Sequence, residues 1–284
     1  MRFSTHPWRS VEVLAGGHQG APLPYPKPQA HLPSAQERRE CSRTTLQPSQ
    51  SAGPAFGGVP IPRYLAQLYW WAYVHPKAVH FFDRKWLVNL ILLGNYRRLC
   101  NASLAEFGET LGGQTLQIGC VYGNLTLRLR QRLSPNARLD VVDVLPIQLD
   151  NLAKKLSPDE RVQLWHGDAS SLSFSNASYD YVLLFFLLHE QPRPVRRATM
   201  SEAMRIVKPG GRVIIVDYHR PRRWHPMLPL VRFVLRKLKP YAVDLWMNDV
   251  ESFLLQTHEP ATLHKTTFFG DLYQKVVLTR QHRR

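Results

Sequence analysis

An alternation that begins at Thr115 constrains the fold more than any other feature. Short, continuously apolar runs are separated by stretches with helical spacing. Strands are expected at Thr115–Ile118, Leu139–Val142, Val162–Trp165, Tyr181–Leu187 and Arg212–Val216, and helices at Asn124–Leu133, Pro146–Leu156 and Val195–Ile206. A strand apolar on both sides must be covered on both sides, and a parallel pair needs a crossover long enough to hold a helix. Leu263–Phe269, Gly270-Asp271 and Leu272–Leu278 read differently, as a hairpin. The expected architecture is a doubly wound, mostly parallel α/β sheet finished by an antiparallel strand.

In such a sheet ligands bind beyond the carboxyl ends of the strands, where the strand order reverses. The first strand runs into TLQIGCVYGNL, with Gly119 and Gly123 punctuating the turn. Glycine permits a tight turn and leaves backbone exposed to a ligand, and the following helix is expected to offer free N–H groups to an anion. Asp143 follows the second strand, 24 positions after Gly119. A carboxylate there can accept both hydrogen bonds of a ribose diol or can cap the helix at Pro146. Asp168, in Gly167-Asp168-Ala169, can accept from an adenine amino group or form an Asx turn. His189 and Glu190 end the fourth strand, and Asp217, Tyr218 and His219 the fifth. Titratable groups at the ends of adjacent strands are candidates for proton transfer.

The rest of the chain adds three features. Residues 1–57 are rich in Pro, Gln, Ser, Gly and Ala without periodicity and are expected to be disordered, with a transit peptide as the lesser reading. Residues 58–110 carry apolar helical segments (Arg63–Val74, Phe81–Leu93, Tyr96–Phe107) crowded with aromatics, and are expected to cap the domain at 111–284. Tyr69, Trp70 and Tyr73 are either core or the boundary of a hydrophobic substrate site. Third, the formal charge is +16 and its densest part is Tyr218–Val243, where Arg220, Arg222, Arg223, Arg232, Arg236, Lys237 and Lys239 meet no acidic residue. Interleaved with Leu230, Val231, Phe233, Val234 and Leu238, they suit an amphipathic helix in an anionic headgroup layer. The same charge suits RNA, but it adjoins an apolar stripe and no RNA-binding module is visible, so no nucleic-acid partner is expected. Three cysteines without a CxxC pair point to a reducing compartment.

The ordered set LQIGCVYGN, VVDVLP, HGDASSL, YDYVLLFFLLHE and VKPGGRVIIVDY resembles the class I S-adenosylmethionine-dependent methyltransferases, from about Thr115 to Arg280. That resemblance implies a seven-stranded sheet and S-adenosylmethionine as cofactor. It implies that Gln117, Gly119, Cys120, Val121, Tyr122 and Gly123 are cofactor-binding residues at the methionine end, that Asp143 and Val144 take the ribose, and that Asp168 and Ala169 take the adenine. The sequence departs from the pattern at Gln117, where the family carries an acidic residue, and at Val121 and Tyr122, where it carries small ones. Together with IPRYLAQLYWWAYVHP, FFDRKWLVNLILLGNYRRL, YAVDLWMND and LYQKVVLTR, these departures resemble the rhodoquinone-biosynthesis branch of the superfamily.

That branch implies conversion of ubiquinone to rhodoquinone, an amino group from S-adenosylmethionine replacing a ring methoxy group with a divalent metal, manganese, assisting. His189 or Glu190 is then the expected base. Tyr218, His219, Arg232 and Arg236 are expected at the substrate or membrane side. The expected location is peripheral, on the cytoplasmic face of the inner membrane or in the cytoplasm, and mitochondrial in a eukaryote. The other readings are a conventional methyltransferase of a quinone, lipid or RNA, and a non-catalytic scaffold of a quinone-synthesis complex.

Overall fold

Strands that are apolar on both faces build the centre of the molecule. The computed structural model describes residues 60–69, 75–247, 250, 252 and 261–282, the side chains of 76 and 77 excepted. Seven strands form one sheet: β1 Gln114–Ile118, β2 Arg138–Asp143, β3 Val162–His166, β4 Tyr179–Phe185, β5 Val207–Tyr218, β6 Ala261–Phe268 and β7 Tyr273–Arg280. Their order is β3-β2-β1-β4-β5-β7-β6. The first five are mutually parallel and β7 runs antiparallel to both β5 and β6, as the terminal hairpin requires. The order reverses between β1 and β4, so the ligand crevice of the fold falls at their carboxyl ends.

The side-chain period of two explains the double cover. On β4, Val182 and Leu184 enter one core while Leu183 and Phe185 enter the other; on β5, Val213 and Ile215 oppose Ile214 and Val216 in the same way. All but Phe185 are fully excluded from solvent. Each such burial contributes about 1.5–3 kcal/mol of transfer free energy, so the two central strands anchor the fold.

Nine α-helices surround the sheet among the described residues: α1 Arg63–Leu68, α2 Pro76–Phe82, α3 Lys85–Ile91, α4 Tyr96–Leu104, α5 Leu125–Arg130, α6 Pro146–Lys155, α7 Arg193–Ile206, α8 Leu228–Leu238 and α9 Pro240–Met247. The expected single helix over 81–93 is two, because the chain leaves the helix at Asp83 and re-enters after Arg84. The early helices belong to the same compact unit as the sheet, and Val88, Leu92, Tyr96, Leu99 and Leu104 share a core with Leu139, Leu183 and Ile214.

Two differences from the sequence reading lie at opposite ends of the central strands, the second of them at the ligand crevice. Lys208-Pro209-Gly210-Gly211 does not precede the fifth strand but loops out within it: Val207 pairs with Tyr179 and Arg212 with Tyr181. The fourth strand ends at Phe185 and not Leu187. Phe186 turns out of the sheet at φ 55°, with its N–H bonded to Val216 O. A bulky residue in the left-handed region costs on the order of 1–2 kcal/mol, here sustained by ring contacts with Phe185, Tyr218 and Tyr273. The turn feeds a short 3₁₀ segment, Leu188–Glu190, which brings His189 back under the sheet edge.

Candidate functional site

The carboxyl ends of β1, β2 and β4 open into one cavity of about 550 Å³, within the range of roughly 300–1,000 Å³ usual for small-molecule sites. Gly119, Cys120, Val121, Tyr122, Asp143, Val144, Asp168, Ala169, His189, Glu190 and Tyr218 line it, joined by Lys239 and by apolar side chains of α3 and α8. Gln117, Gly123, Tyr69, His219, Arg232 and Arg236 are not on its wall. Trp70 and Tyr73 lie outside the described residues, as does the tail 1–57.

Gln117 supports the β1 turn from beneath. Its amide nitrogen donates to Gly119 O at 2.9 Å and its oxygen accepts from Thr126 Oγ1 at 3.0 Å. A carboxylate at this buried position cannot donate to a carbonyl, so the departure from an acidic residue has a structural reason. Gly119 and Gly123 both have positive φ, 87° and 92°. A Cβ on Gly123 would run into the Tyr96 hydroxyl.

The N–H groups of this turn are not offered to a ligand as expected. Gly123 N–H donates to Asp83 Oδ1 and Asn124 N–H to Tyr96 Oη, at 2.8 and 2.7 Å. Asp83 also accepts from Lys155 Nζ and Asn151 Nδ2. The α2–α3 junction therefore clamps the far side of the turn, and the cavity side presents Gly119–Tyr122. Tyr122 accepts from Gln148 Nε2 at 2.9 Å and its ring stacks near Phe82, so it walls the cavity rigidly.

Asp143 braces two loops, accepting from Cys120 N at 2.6 Å and Leu145 N at 2.8 Å. Burial pushes its carboxyl up to about 6, against the pull of those two N–H groups. With the Cys120 thiol also bonded to it, three of the roughly four lone-pair positions of the carboxylate are engaged, leaving one towards the cavity. Asp168 forms the Asx-type turn, with Oδ1 accepting from Ser170 N and Oγ, while still lining the cavity.

The charged cluster lies across the cavity wall. His189 Nδ1 is 2.9 Å from Asp217 Oδ1, and Asp217 also accepts from His189 N and Tyr218 N. Asp217 is fully buried and has only acceptors, which assigns the proton to Nδ1 and leaves a lone pair on Nε2. Lys239 Nζ lies 2.9 Å from that nitrogen and 2.7 Å from Glu190 Oε1. Burial raises the Glu190 carboxyl, but Lys239 and His189 outweigh it and hold the group down at about 2. Burial likewise works against the Lys239 ammonium, and Glu190 reverses the balance in its favour. Glu190 is therefore a counter-ion, and the basic lone pair belongs to His189. The sequence grouped Lys239 with the surface charges; nothing in the local pattern distinguished it from Lys237.

The other expected substrate residues fall elsewhere. His219 Nδ1 meets Asp271 O at 2.8 Å, Tyr69 packs with Leu65 and Leu145, and Arg232 and Arg236 are exposed on α8. No three His, Cys, Asp or Glu side chains converge as metal ligands among the described residues. The Lys239 ammonium lies within hydrogen-bond distance of both His189 Nε2 and Glu190 Oε1, themselves 3.4 Å apart, so a divalent cation there would meet a like charge and these residues do not fit one.

The apolar stripe of α8 is only half covered. Val231 and Leu235 are buried, whereas Leu230, Phe233, Val234 and Leu238 are exposed, Phe233 by 64%. On α3, Trp86 (58%), Leu90 (62%) and Ile91 are exposed as well. Leu90, Ile91, Leu230, Val234 and Leu238 also line the cavity, so two exposed apolar helix faces meet at its mouth. No helix among the described residues is long and apolar enough to cross a membrane.

Comparison with known proteins agrees with this architecture. Residues 115–211 match the methyltransferase domain family. Demethylmenaquinone methyltransferase of Staphylococcus aureus is 29% identical over 140 residues, which cover 49% of this chain and 56% of the relative. The match thus spans about half the length of the curated relatives. The crystal structure of a possible exported protein from Bordetella parapertussis aligns with a TM-score of 0.57 at 16% identity, covering 76% of this chain and 82% of that one. A SAM-dependent methyltransferase from Aquifex aeolicus aligns with a TM-score of 0.52 at 16% identity, over 72% of this chain and 97% of the other. The fold is that of the class I methyltransferases.

Proposed function

We propose that this protein is an S-adenosylmethionine-dependent transferase that acts on a lipid-tailed quinone at a membrane surface. We further propose that it replaces a ring methoxy group by an amino group, turning ubiquinone into rhodoquinone. One observation carries the reading: a single cavity joins the glycine turn and Asp143 to the His189–Asp217 pair and opens between two exposed apolar helix faces. The matched methyltransferase domain and the quinone methyltransferase relative support the cofactor and the substrate class. The resemblance carried by Gln117, Val121 and Tyr122 supports amino transfer.

When bound, S-adenosylmethionine supplies the group that is transferred. The chain's own contribution follows from the cluster. Asp217 holds the imidazole by Nδ1 and leaves Nε2 on the cavity side, which makes His189 the acceptor of the proton that an attacking nitrogen must lose. Phe185, Phe186, Tyr218 and Tyr273 wall the reaction space and keep water from the ring. The exposed Trp224, Trp86 and Phe233, flanked by Arg223, Arg232 and Arg236, support docking on anionic lipid.

Vesicles carrying ubiquinone, incubated with the protein and S-adenosylmethionine labelled at the amino nitrogen, test the whole reading. The expected result is protein bound to anionic but not zwitterionic vesicles, and quinone carrying the label in place of one methoxy group. A quinone gaining a methyl group instead would replace amino transfer by conventional methylation, the reading favoured by the demethylmenaquinone methyltransferase match. Binding without turnover would leave the scaffold.

Asp143 makes this pH-dependent. A ribose diol donates to the ionised carboxylate, and the group is protonated below about 6. Binding of S-adenosylmethionine should be constant above neutrality and weaken below pH 6, approaching about tenfold per unit because a proton must then be displaced. Calorimetric titrations between pH 5 and 8 check this, and a flat profile would remove Asp143 from the ribose site.

A further inference from the structure

We infer that Lys239 Nζ is an oxyanion site: it holds the ring oxygen of the substrate that becomes negative when a nucleophile adds to the conjugated ring. The inference rests on the proposed function only for the identity of the ring. The site itself follows from geometry. Lys239 closes α8, its N–H bonded to Leu235 O at 2.8 Å, and its side chain turns inward to the cavity wall instead of outward to solvent. Only 18% of that side chain is exposed. The ammonium sits 2.9 Å from His189 Nε2, 2.7 Å from Glu190 Oε1 and 5.7 Å above the Tyr69 ring. A buried cation kept charged by a carboxylate, on an apolar wall, is the arrangement that stabilises charge developing in a transition state.

The position next to His189 couples two events. While His189 Nε2 is unprotonated it accepts a hydrogen bond from Lys239. Once it takes the proton of the nucleophile it no longer accepts, and the Lys239 N–H that pointed at it turns to the ring oxygen. The protonated imidazole then faces Glu190, 3.4 Å away. The nucleophile's lone pair forms the new bond to carbon, the ring π electrons move to the oxygen, and the nucleophile's proton rests on His189. When the ring carbonyl re-forms, the displaced methoxide takes that proton and leaves as methanol. The ammonium thus does what a divalent metal would otherwise do at this oxygen, which accounts for a lysine beside His189 and Glu190.

The test uses two naphthoquinones, so that it does not depend on turnover. 2-Hydroxy-1,4-naphthoquinone carries a negative charge shared over its oxygens near neutral pH, and 2-methoxy-1,4-naphthoquinone is its neutral counterpart. The protein should bind the anion at least about tenfold more tightly, the factor expected of one charge-assisted hydrogen bond. Lys239→Met should abolish that preference while S-adenosylmethionine binding is unchanged, and Lys239→Arg should retain it. Since the methionine variant leaves Glu190 unpaired, Lys239→Met/Glu190→Gln, which removes both charges, guards against misfolding. An anion preference that survives in the double variant, or none in the wild type, overturns the inference. A Lys239-dependent preference in a protein that leaves ubiquinone unchanged would instead sink the proposed function and keep the oxyanion site.

Discussion

Arg196→Ala is expected to cost about 3–5 kcal/mol, lowering the melting temperature by roughly 10 °C in a domain of this size. Arg196 is fully buried on α7 and its side chain reaches the turn that carries His189. Its guanidinium donates to Leu188 O at 2.9 Å, to Gln191 O and Tyr241 O at 3.0 Å, and to Asp244 Oδ2 at 2.9 Å. Two of these carbonyls flank the 3₁₀ segment that carries His189 and Glu190, and the other two partners belong to α9. Alanine would leave the buried Leu188 and Gln191 carbonyls and the half-buried Tyr241 carbonyl without that donor, and would remove the guanidinium from Asp244. Lysine should rescue little, because one ammonium cannot reproduce the fork of a guanidinium. Thermal and urea melts check the stability. Turnover should fall further than the folded fraction, since the turn loses its tether to α9. A melt within about 1 kcal/mol of wild type would show that the turn is held by packing alone.

His189→Ala and Asp217→Asn should each lower turnover by about 10²–10⁴, the usual contribution of a positioned base. Affinity for S-adenosylmethionine should stay near that of the wild type. The two act differently. Alanine removes the proton acceptor. Asparagine keeps the shape but sets an amide donor against at least one of three donors, His189 N, His189 Nδ1 and Tyr218 N, all of which now point at carboxylate oxygens. With the amide towards Nδ1 the imidazole loses the partner that keeps its proton there and its lone pair on Nε2; with the amide reversed it opposes the His189 backbone N–H and displaces the turn. Steady-state rates beside calorimetric cofactor binding separate this from misfolding. If either variant retains full turnover with a bound cofactor, His189 is not the base.

The fold was legible because burial on both sides of a strand is a local property. Val182–Phe185 and Val213–Val216 are apolar at every position, and only a sheet covered twice can use such runs. The glycine turn, Asp143 and Asp168 were legible because each directly follows a strand, where this topology always places ligands. Phe186 was not, since an apolar run gives no sign that its last members leave the sheet with positive φ. The fate of the turn's N–H groups was also hidden. Asp83 and Tyr96 lie 40 and 28 positions before their partners, Gly123 and Asn124, too far for any periodicity to connect them.

Lys239 marks the boundary most clearly. By itself the sequence determined a doubly wound sheet, a crevice lined by Gly119, Asp143, Asp168 and His189, and a stretch of seven basic residues beside an apolar stripe. Local patterning is enough for that, because strand ends and helix faces are set by neighbours in the chain. Only the tertiary structure decided which basic residue turns inward. The end of α8 packs where the turn after β4 comes back, and the ammonium meets His189 and Glu190 some 50 positions away. Ionisation in a buried cluster depends on distances through space, and those exist only once the chain has folded.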